Sequence, residues 1–114
     1  MTALRFAIAW TLVIVVLCLI PGSDLPDIDA PLSTDKWVHA AMFFGFGALW
    51  TMAQPRKWWA VFGVGVVLGA AIEVAQYMLQ WGRSGDVWDF AADVVGLVAG
   101  MGLAWAISAR TATA

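Results

Sequence analysis

The sequence contains one cysteine, one histidine and one tyrosine, and charged residues make up only 12% of its 114 residues. The single Cys18 lies inside an apolar run, which excludes an intramolecular disulfide and favours a buried, space-filling side chain. Soluble domains usually contain about a quarter charged residues, so an ordinary soluble fold is also excluded. The net charge is -2, so the chain offers no basic surface, and we expect no nucleic-acid partner.

Motifs for metal and nucleophilic chemistry are also missing from the sequence. It has no HExxH motif and no cysteine cluster, so we expect no metal and no cofactor. The segment Gly82-Arg83-Ser84-Gly85 lacks the GxSxG frame of a nucleophilic serine. The composition and these absences exclude the common hydrolase signatures, without excluding other acid-base chemistry.

Apolar residues are abundant, at 62% of the chain. They lie in four runs, each close to the roughly 20 residues that cross the hydrocarbon layer of a membrane. Pro21-Gly22 and Pro55 interrupt the runs, as helix-ending residues do. The sequence therefore predicts one all-α membrane domain over residues 1–114. We expect an antiparallel bundle of four transmembrane helices at about 4–20, 35–53, 58–80 and 88–108.

The first apolar run has a second interpretation. It is short and follows Arg5, as the apolar segment of a signal peptide does. The residues after it, Pro21-Gly22-Ser23-Asp24, show no small-x-small cleavage site. This pattern favours a retained membrane anchor over a cleaved signal peptide.

Charges are distributed unevenly across the predicted bundle. All 8 acidic residues lie at or just below one face, whereas four of the 6 basic residues lie at the opposite face. The positive-inside rule makes the basic face cytoplasmic, so both termini are predicted to be inside. Most of the 8 tryptophans lie near span ends and are predicted to be interface anchors. The four basic residues that set this orientation are Arg5, Arg56, Lys57 and Arg110.

Polar side chains from three predicted helices meet near the acidic face. Asp35 and His39 are four residues apart and share a helix face, and Glu73 lies about 10 Å below the end of its helix. Ionisable groups at mid-span cost about 2.5 to 3.5 kcal/mol each against lipid, so we expect them to point at one another. The predicted ligand-binding residues are Asp35, Lys36, His39, Glu73, Gln76, Arg83, Asp89 and Asp93.

Small residues lie on the same helix faces as two of these acidic residues, Glu73 and Asp93. Gly65 and Gly69 lie on the same helix face as Glu73, and Gly96 and Gly100 follow Asp93 at similar steps. Stripes of small residues allow close approach of helices in lipid. We therefore expect the third and fourth helices to pack glycine against glycine.

Three sequence blocks carry a resemblance to a known family. They are Asp35-Lys36-x-x-His39-x-x-x-Phe43, then Glu73-x-x-Gln76, then Arg83-Ser84-x-x-x-x-Asp89-x-x-x-Asp93-x-x-Gly96-x-x-x-Gly100. Their order and spacing resemble the VanZ-like membrane protein family, although this chain has Asp93 where the family pattern has asparagine. The resemblance implies a multi-pass protein of the bacterial cytoplasmic membrane. Its name-giving member is associated with low-level resistance to the glycopeptide teicoplanin, so the resemblance implies a link to antibiotic resistance without specifying a reaction.

Three functional interpretations stay open. In the first, the outward-facing cluster binds an envelope lipid or a lipid-linked cell-wall precursor. Lys36 and Arg83 would hold its anionic group, and His39, Glu73 and Gln76 would hydrogen-bond to it. In the second, the protein is an intramembrane enzyme with His39 or Glu73 as general acid or base. In the third, the cluster only locks the bundle of a structural or assembly protein. Membrane lipids are expected partners in every case, and the short helices allow for a homo-oligomer.

Overall fold

The computed structural model describes the backbone of residues 2–20, 32–79 and 87–113, and the side chains of residues 2–20, 36–79 and 87–111. These parts of the chain are all-helical, which confirms the all-α part of the predicted fold class. The α-helices are α1 (Thr2–Leu19), α2 (Leu32–Ala53), α3 (Trp58–Leu79) and α4 (Val87–Thr113), and a 3-10 turn (Pro55–Lys57) joins α2 to α3. Each of the four predicted runs overlaps one of these helices.

Three helical segments are long and apolar enough to cross a membrane, namely Thr2–Leu19, Pro55–Leu79 and Val87–Thr111. The remaining helix, α2, carries Lys36 and His39 in its first half, and both side chains contact carboxylates of α4. Because these polar residues lower the mean hydropathy of α2, a fourth crossing stays a prediction.

The turn between α2 and α3 follows from Pro55. Proline lacks an amide hydrogen, so it stops α2 but fits the first position of a new helical turn. The amide of Gln54 still donates to the carbonyl of Trp50, and the amide of Lys57 donates to the carbonyl of Gln54. The chain therefore reverses in a few residues and begins α3 at Trp58.

The closest helix contact joins α2 and α4. A Cβ atom at Gly96 would collide with the carbonyl oxygen of Ala40, and one at Gly100 would collide with that of Phe44. Both pairs advance in the same direction along the two helices, so α2 and α4 run parallel. Only glycine permits this backbone approach, and it fixes the register between α2 and α4.

The predicted glycine-on-glycine contact between α3 and α4 is wrong. Gly96 and Gly100 of α4 face the backbone of α2, and the two glycines predicted to oppose them on α3 face side chains. Gly65 lies against the Leu97 side chain, and Gly69 lies against that of Asp93. The reason is steric: α2 occupies the flat glycine face of α4, so α3 packs against the neighbouring face, from which larger side chains project.

The core joins all four helices, and Cys18 lies fully buried within it, as the sequence predicts. Buried members include Ile14 of α1, Phe43 and Phe46 of α2, Ile72 of α3 and Leu97 of α4.

Indole hydrogen bonds attach α1 to α2. The Nε1 nitrogen of Trp10 donates to the carbonyl of Met42 at 2.8 Å, and Nε1 of Trp50 donates to Oγ1 of Thr11 at 2.8 Å. Trp10 and Trp50 are therefore half-buried hydrogen-bond donors between α1 and α2. The remaining described tryptophans are exposed: Trp37, Trp58, Trp59, Trp88 and Trp105.

Candidate functional site

Five ionisable side chains converge at the end of the bundle where α1 and α3 finish and where α2 and α4 begin. We call these residues the polar cluster. Four of them are buried, since His39 and Asp93 are each 1% exposed, Asp89 is 3% exposed and Glu73 is 9% exposed. The fifth, Lys36, has a half-buried side chain at the edge. The polar cluster comprises Lys36, His39, Glu73, Asp89 and Asp93.

Helix register positions these side chains. His39 is three residues after Lys36 on α2, and Asp93 is four residues after Asp89 on α4, so each pair shares one helix face. The glycine contact between Gly96 and Ala40 lies directly beside these pairs. Because α2 and α4 are parallel and in backbone contact there, the two polar faces meet at the same height.

The imidazole of His39 lies between two carboxylates of α4. Its Nδ1 atom is 2.9 Å from Oδ1 of Asp93, a hydrogen-bond distance, and its Nε2 atom is 4.0 Å from Oδ2 of Asp89. An ionised carboxylate can only accept hydrogen bonds, so an ionised Asp93 requires the proton on Nδ1. The contact therefore holds the orientation of the His39 ring, and the tautomer of His39 depends on whether Asp93 is ionised.

A third carboxylate approaches from α3. Oε1 of Glu73 is 3.8 Å from Nδ1 of His39. One turn earlier on α3, Gly69 leaves room for Asp93, because a Cβ at this position would lie 3.3 Å from Oδ2 of Asp93. The absence of a side chain at Gly69 thus lets the Asp93 carboxylate settle against α3 while it contacts α2.

Lys36 connects the polar cluster to its surroundings. Its Nζ atom is 3.2 Å from Oδ1 of Asp89, and the Lys36 side chain is 35% exposed whereas that of Asp89 is 4% exposed. A lysine stem can lie along apolar surface while its ammonium reaches a polar region. Lys36 therefore forms the rim of the cluster, and Asp89 links this rim to His39.

Acidic groups outnumber basic groups within the polar cluster. Among the described side chains of the cluster, three carboxyl groups lie near one ammonium and one imidazole. Buried carboxyl groups are stable in a medium of low dielectric constant only when they are protonated, paired, hydrogen-bonded or bound to a metal. The cluster is therefore suited to hold a shared proton or a bound cation.

The same groups form a potential metal-ligand set. Nδ1 or Nε2 of His39 and one carboxylate oxygen each of Glu73 and Asp93 lie within 4.8 Å of one another. Their positions on α2, α3 and α4 place them far apart in sequence, so no short motif reveals the set.

The remaining predicted site residues are Gln76, Arg83 and Asp35. Gln76 is buried, and its Nε2 atom donates to the carbonyl of Cys18 at 2.8 Å, which ties α3 to α1. The amide nitrogen of Gln76 therefore contacts α1 and not Glu73. Arg83 and the side chain of Asp35 lie outside the described residues, so their predicted roles stay predictions.

A cavity lies at the opposite end of the bundle and was not predicted. It has a volume of about 400 Å³ and a mostly apolar lining that includes Thr51, Trp58, Phe62 and Trp105. Thr51 is twelve residues after His39 on α2, a separation of about 18 Å along the helix axis. The lining residues are ordinary apolar and aromatic types, so the sequence contains no signal that distinguishes them from lipid-facing residues.

The comparisons with known proteins agree with the three sequence blocks. The VanZ/LLP1 family model matches residues 6–108, a range that contains the whole polar cluster. No curated protein and no solved structure matches the chain. Since the matched range covers most of the 114 residues and confirms the resemblance, this chain belongs to the VanZ/LLP1 family.

Proposed function

We propose that the polar cluster binds the polar head group of a membrane amphiphile, either an envelope lipid or a lipid-linked cell-wall precursor. The observation that carries this proposal is the burial of His39, Glu73, Asp89 and Asp93 inside a bundle with apolar outer surfaces. Ionisable groups within membrane helices are costly, face the protein interior and mark ligand or ion sites. A head group that enters at Lys36 reaches these groups without crossing the apolar faces.

Two tryptophans support a position near the membrane interface. Trp37 and Trp88 are exposed, and they lie next to Lys36 and Asp89 in the second turn of α2 and the first turn of α4. Tryptophan side chains are enriched at the level of lipid head groups. The polar cluster then lies just inside the interface, at the depth where a head group meets the acyl region.

The chemistry of the cluster favours a head group with both charge types or with hydroxyl groups. The ammonium of Lys36 can pair with a phosphate oxygen as a compact charge. Carboxylates of Glu73 and Asp89 can accept hydrogen bonds from an amine or a hydroxyl group. Lipids whose head group carries a phosphate and an amine offer both kinds of group, as do lipids that carry a sugar attached through a phosphate.

The proposal includes four membrane crossings with both termini in the cytoplasm. It is supported by Arg56 and Lys57 in the turn between α2 and α3, at the end opposite the polar cluster. In a Cys18→Ala background, a Gln54→Cys variant should react with a membrane-impermeant maleimide only after the cells are opened. Labelling of this variant in intact cells would show the opposite orientation, with the turn between α2 and α3 outside the cell.

Family membership also motivates a proposal about the cell envelope. The cluster could hold a cell-wall precursor or change how accessible that precursor is to the antibiotic. Expression of the protein in a susceptible bacterium should then raise the teicoplanin concentration needed to stop growth. The Glu73→Gln variant, expressed at the same level, should lose this effect. Equal susceptibility with and without the protein would remove the link to resistance.

An intramembrane enzyme is a second candidate, and the 2.9 Å contact between His39 and Asp93 favours it. A carboxylate-oriented imidazole is a recognised acid-base arrangement. Product formation from a bound lipid, abolished in His39→Gln while binding is retained, would identify an enzyme. Binding without product would leave the ligand-binding function.

Titration with defined lipids tests the main proposal. Detergent-purified protein is mixed with phosphatidylethanolamine, phosphatidylglycerol or a polyprenyl phosphate, and bound lipid is counted by native mass spectrometry. At least one of these head groups should bind to the wild type, and His39→Ala and Glu73→Gln should weaken that binding. Thr51→Val serves as the control, since it changes a buried polar side chain at the opposite end without changing shape. If the cluster variants alter only thermal stability, the cluster has a structural role.

A further inference from the structure

We propose that His39, Glu73 and Asp93 form a binding site for one divalent transition-metal cation. Each residue comes from a different helix, and all three side chains are buried. No short sequence motif predicts a metal in this chain. The fold brings the three ligand residues together from distant positions in the sequence. The site does not depend on the proposed lipid function, since all three ligands belong to the protein.

The distances between potential ligand atoms fit a small cation. Metal bonds of about 2.0 to 2.2 Å in tetrahedral geometry place neighbouring ligand atoms about 3.3 to 3.6 Å apart. Nδ1 of His39 is 2.9 Å from Oδ1 of Asp93 and 3.8 Å from Oε1 of Glu73. These two separations bracket the required values, and all three ligand atoms lie within 4.8 Å of one another, so small side-chain shifts complete the site.

Asp89 provides a second observation that points to a metal. A histidine that binds a metal through one ring nitrogen usually donates its other N–H to a carboxylate, which fixes the ring. With Nδ1 of His39 directed at the cation, Nε2 faces Oδ2 of Asp89 at 4.0 Å. Lys36 contacts the other oxygen of Asp89 at 3.2 Å, so the orienting carboxylate is itself held in place.

The charge of the polar cluster also favours a cation. Carboxyl groups of Glu73, Asp89 and Asp93 are buried near one another, and a divalent ion bound there would be the largest local charge and would attract their ionised forms. Head-group phosphates are anionic, and a cation at this position makes the acidic cluster compatible with them. One open coordination position would then accept a phosphate oxygen.

The donor set narrows the choice of metal. One imidazole nitrogen and two carboxylate oxygens suit Zn²⁺ or Mn²⁺, whereas the soft Cu⁺ ion prefers thiolate and thioether ligands. Ca²⁺ takes six to eight oxygen ligands, which three side chains do not supply. Zn²⁺ and Mn²⁺ are therefore the probes of choice.

Calorimetric titration of the purified protein with Zn²⁺ or Mn²⁺ alone, after treatment with a chelator, tests the site. Wild type should bind one equivalent. Glu73→Gln should lose this binding. His39→Asn should lose it too, because the asparagine amide can occupy the position of Nδ1 but ligates a metal poorly. Asp89→Asn should bind about 10- to 100-fold more weakly, the usual effect of removing an outer-shell partner, and Thr51→Val should match the wild type.

Two results would overturn the metal site: a helical, monodisperse wild type that binds neither ion, or binding that Glu73→Gln and His39→Asn leave unchanged. Circular dichroism identifies folded variants, and the wild-type stoichiometry remains decisive where a variant does not fold. Lipid titration before and after chelation separates the two proposals. Lipid binding to the metal-free protein with no metal uptake contradicts only the metal site, whereas metal uptake without lipid binding contradicts only the head-group proposal.

Discussion

Nδ1 of His39 lies 2.9 Å from Oδ1 of Asp93, and both side chains are 1% exposed. This contact links α2 to α4 in the interior of the bundle, beside the glycine contact that sets the distance between the two helices. Backbone packing therefore imposes the polar contact, and the contact supplies the chemistry of the site. Substitutions at the glycine contact and at the polar contact should therefore have different effects.

Replacing His39 by alanine should destabilise the metal-free protein. The change removes the hydrogen-bond partner of Oδ1 in the buried Asp93, and such a loss costs about 1 to 3 kcal/mol. His39→Asn should cost less, because the asparagine amide can donate to Asp93 from the position of Nδ1. Thermal unfolding in detergent, followed by circular dichroism, measures both variants. Equal losses would show that the hydrogen bond contributes little.

Gly96→Ala should disrupt the contact between α2 and α4. The new Cβ would collide with the carbonyl oxygen of Ala40, a backbone atom that cannot rotate away. Overpacking of this kind costs about 1 to 3 kcal/mol. Gly102→Ala on the same helix is the matched control, since a Cβ there meets nothing within 4 Å and alanine favours a helix by about 1 kcal/mol. The unfolding midpoint should fall for Gly96→Ala and should not fall for Gly102→Ala.

Gly69→Ala should weaken head-group binding without removing any polar group. Its Cβ would lie 3.3 Å from Oδ2 of Asp93, closer than normal packing allows, so the carboxylate must shift away from its position near His39. Gly63→Ala on the same helix is the control, because the space around Gly63 is open. Native mass spectrometry of lipid complexes measures the effect. Similar lipid binding by the two variants would mean that the position of Asp93 is unimportant.

Trp10→Phe should weaken the attachment of α1. The variant keeps an aromatic ring but removes the indole donor that bonds to the carbonyl of Met42 at 2.8 Å, a loss of about 0.5 to 1.5 kcal/mol. Trp105→Phe is the control, since Trp105 is exposed and the described part of the structure shows no hydrogen bond from its indole. Thermal unfolding should distinguish the two. An equal unfolding midpoint for both variants would show that the Trp10 hydrogen bond does not stabilise the protein.

Helical spacing and the cost of charge in lipid are sufficient to predict that His39, Glu73, Asp89 and Asp93 meet. Each acid or base sits at a known height on its helix, and only the protein interior can accommodate it. The partner of Gly96 could not be predicted in this way. The α3 and α4 runs are apolar on most faces, so the sequence does not specify how each helix rotates about its axis, and α2 rather than α3 packs on the glycine face.

The hydrogen bonds of Gln76 and Trp10 could not be predicted from the sequence either. Both lie on helix faces that also carry apolar residues, and their hydrogen bonds go to backbone carbonyls of Cys18 and Met42. Every residue has such a carbonyl, so the sequence gives no sign of which one is used. Side-chain pairs of opposite charge are more predictable than bonds to the backbone for this reason.

Photocrosslinking with a lipid that carries a diazirine in its head group tests the central claim most directly. Protein in lipid nanodiscs is irradiated, digested and analysed by mass spectrometry. We predict labels on residues next to Lys36 and Asp89, lost on competition with the unlabelled lipid and reduced in His39→Ala. Labels confined to the opposite end around Thr51 and Trp58, or spread evenly along the helices, would contradict head-group binding by the polar cluster.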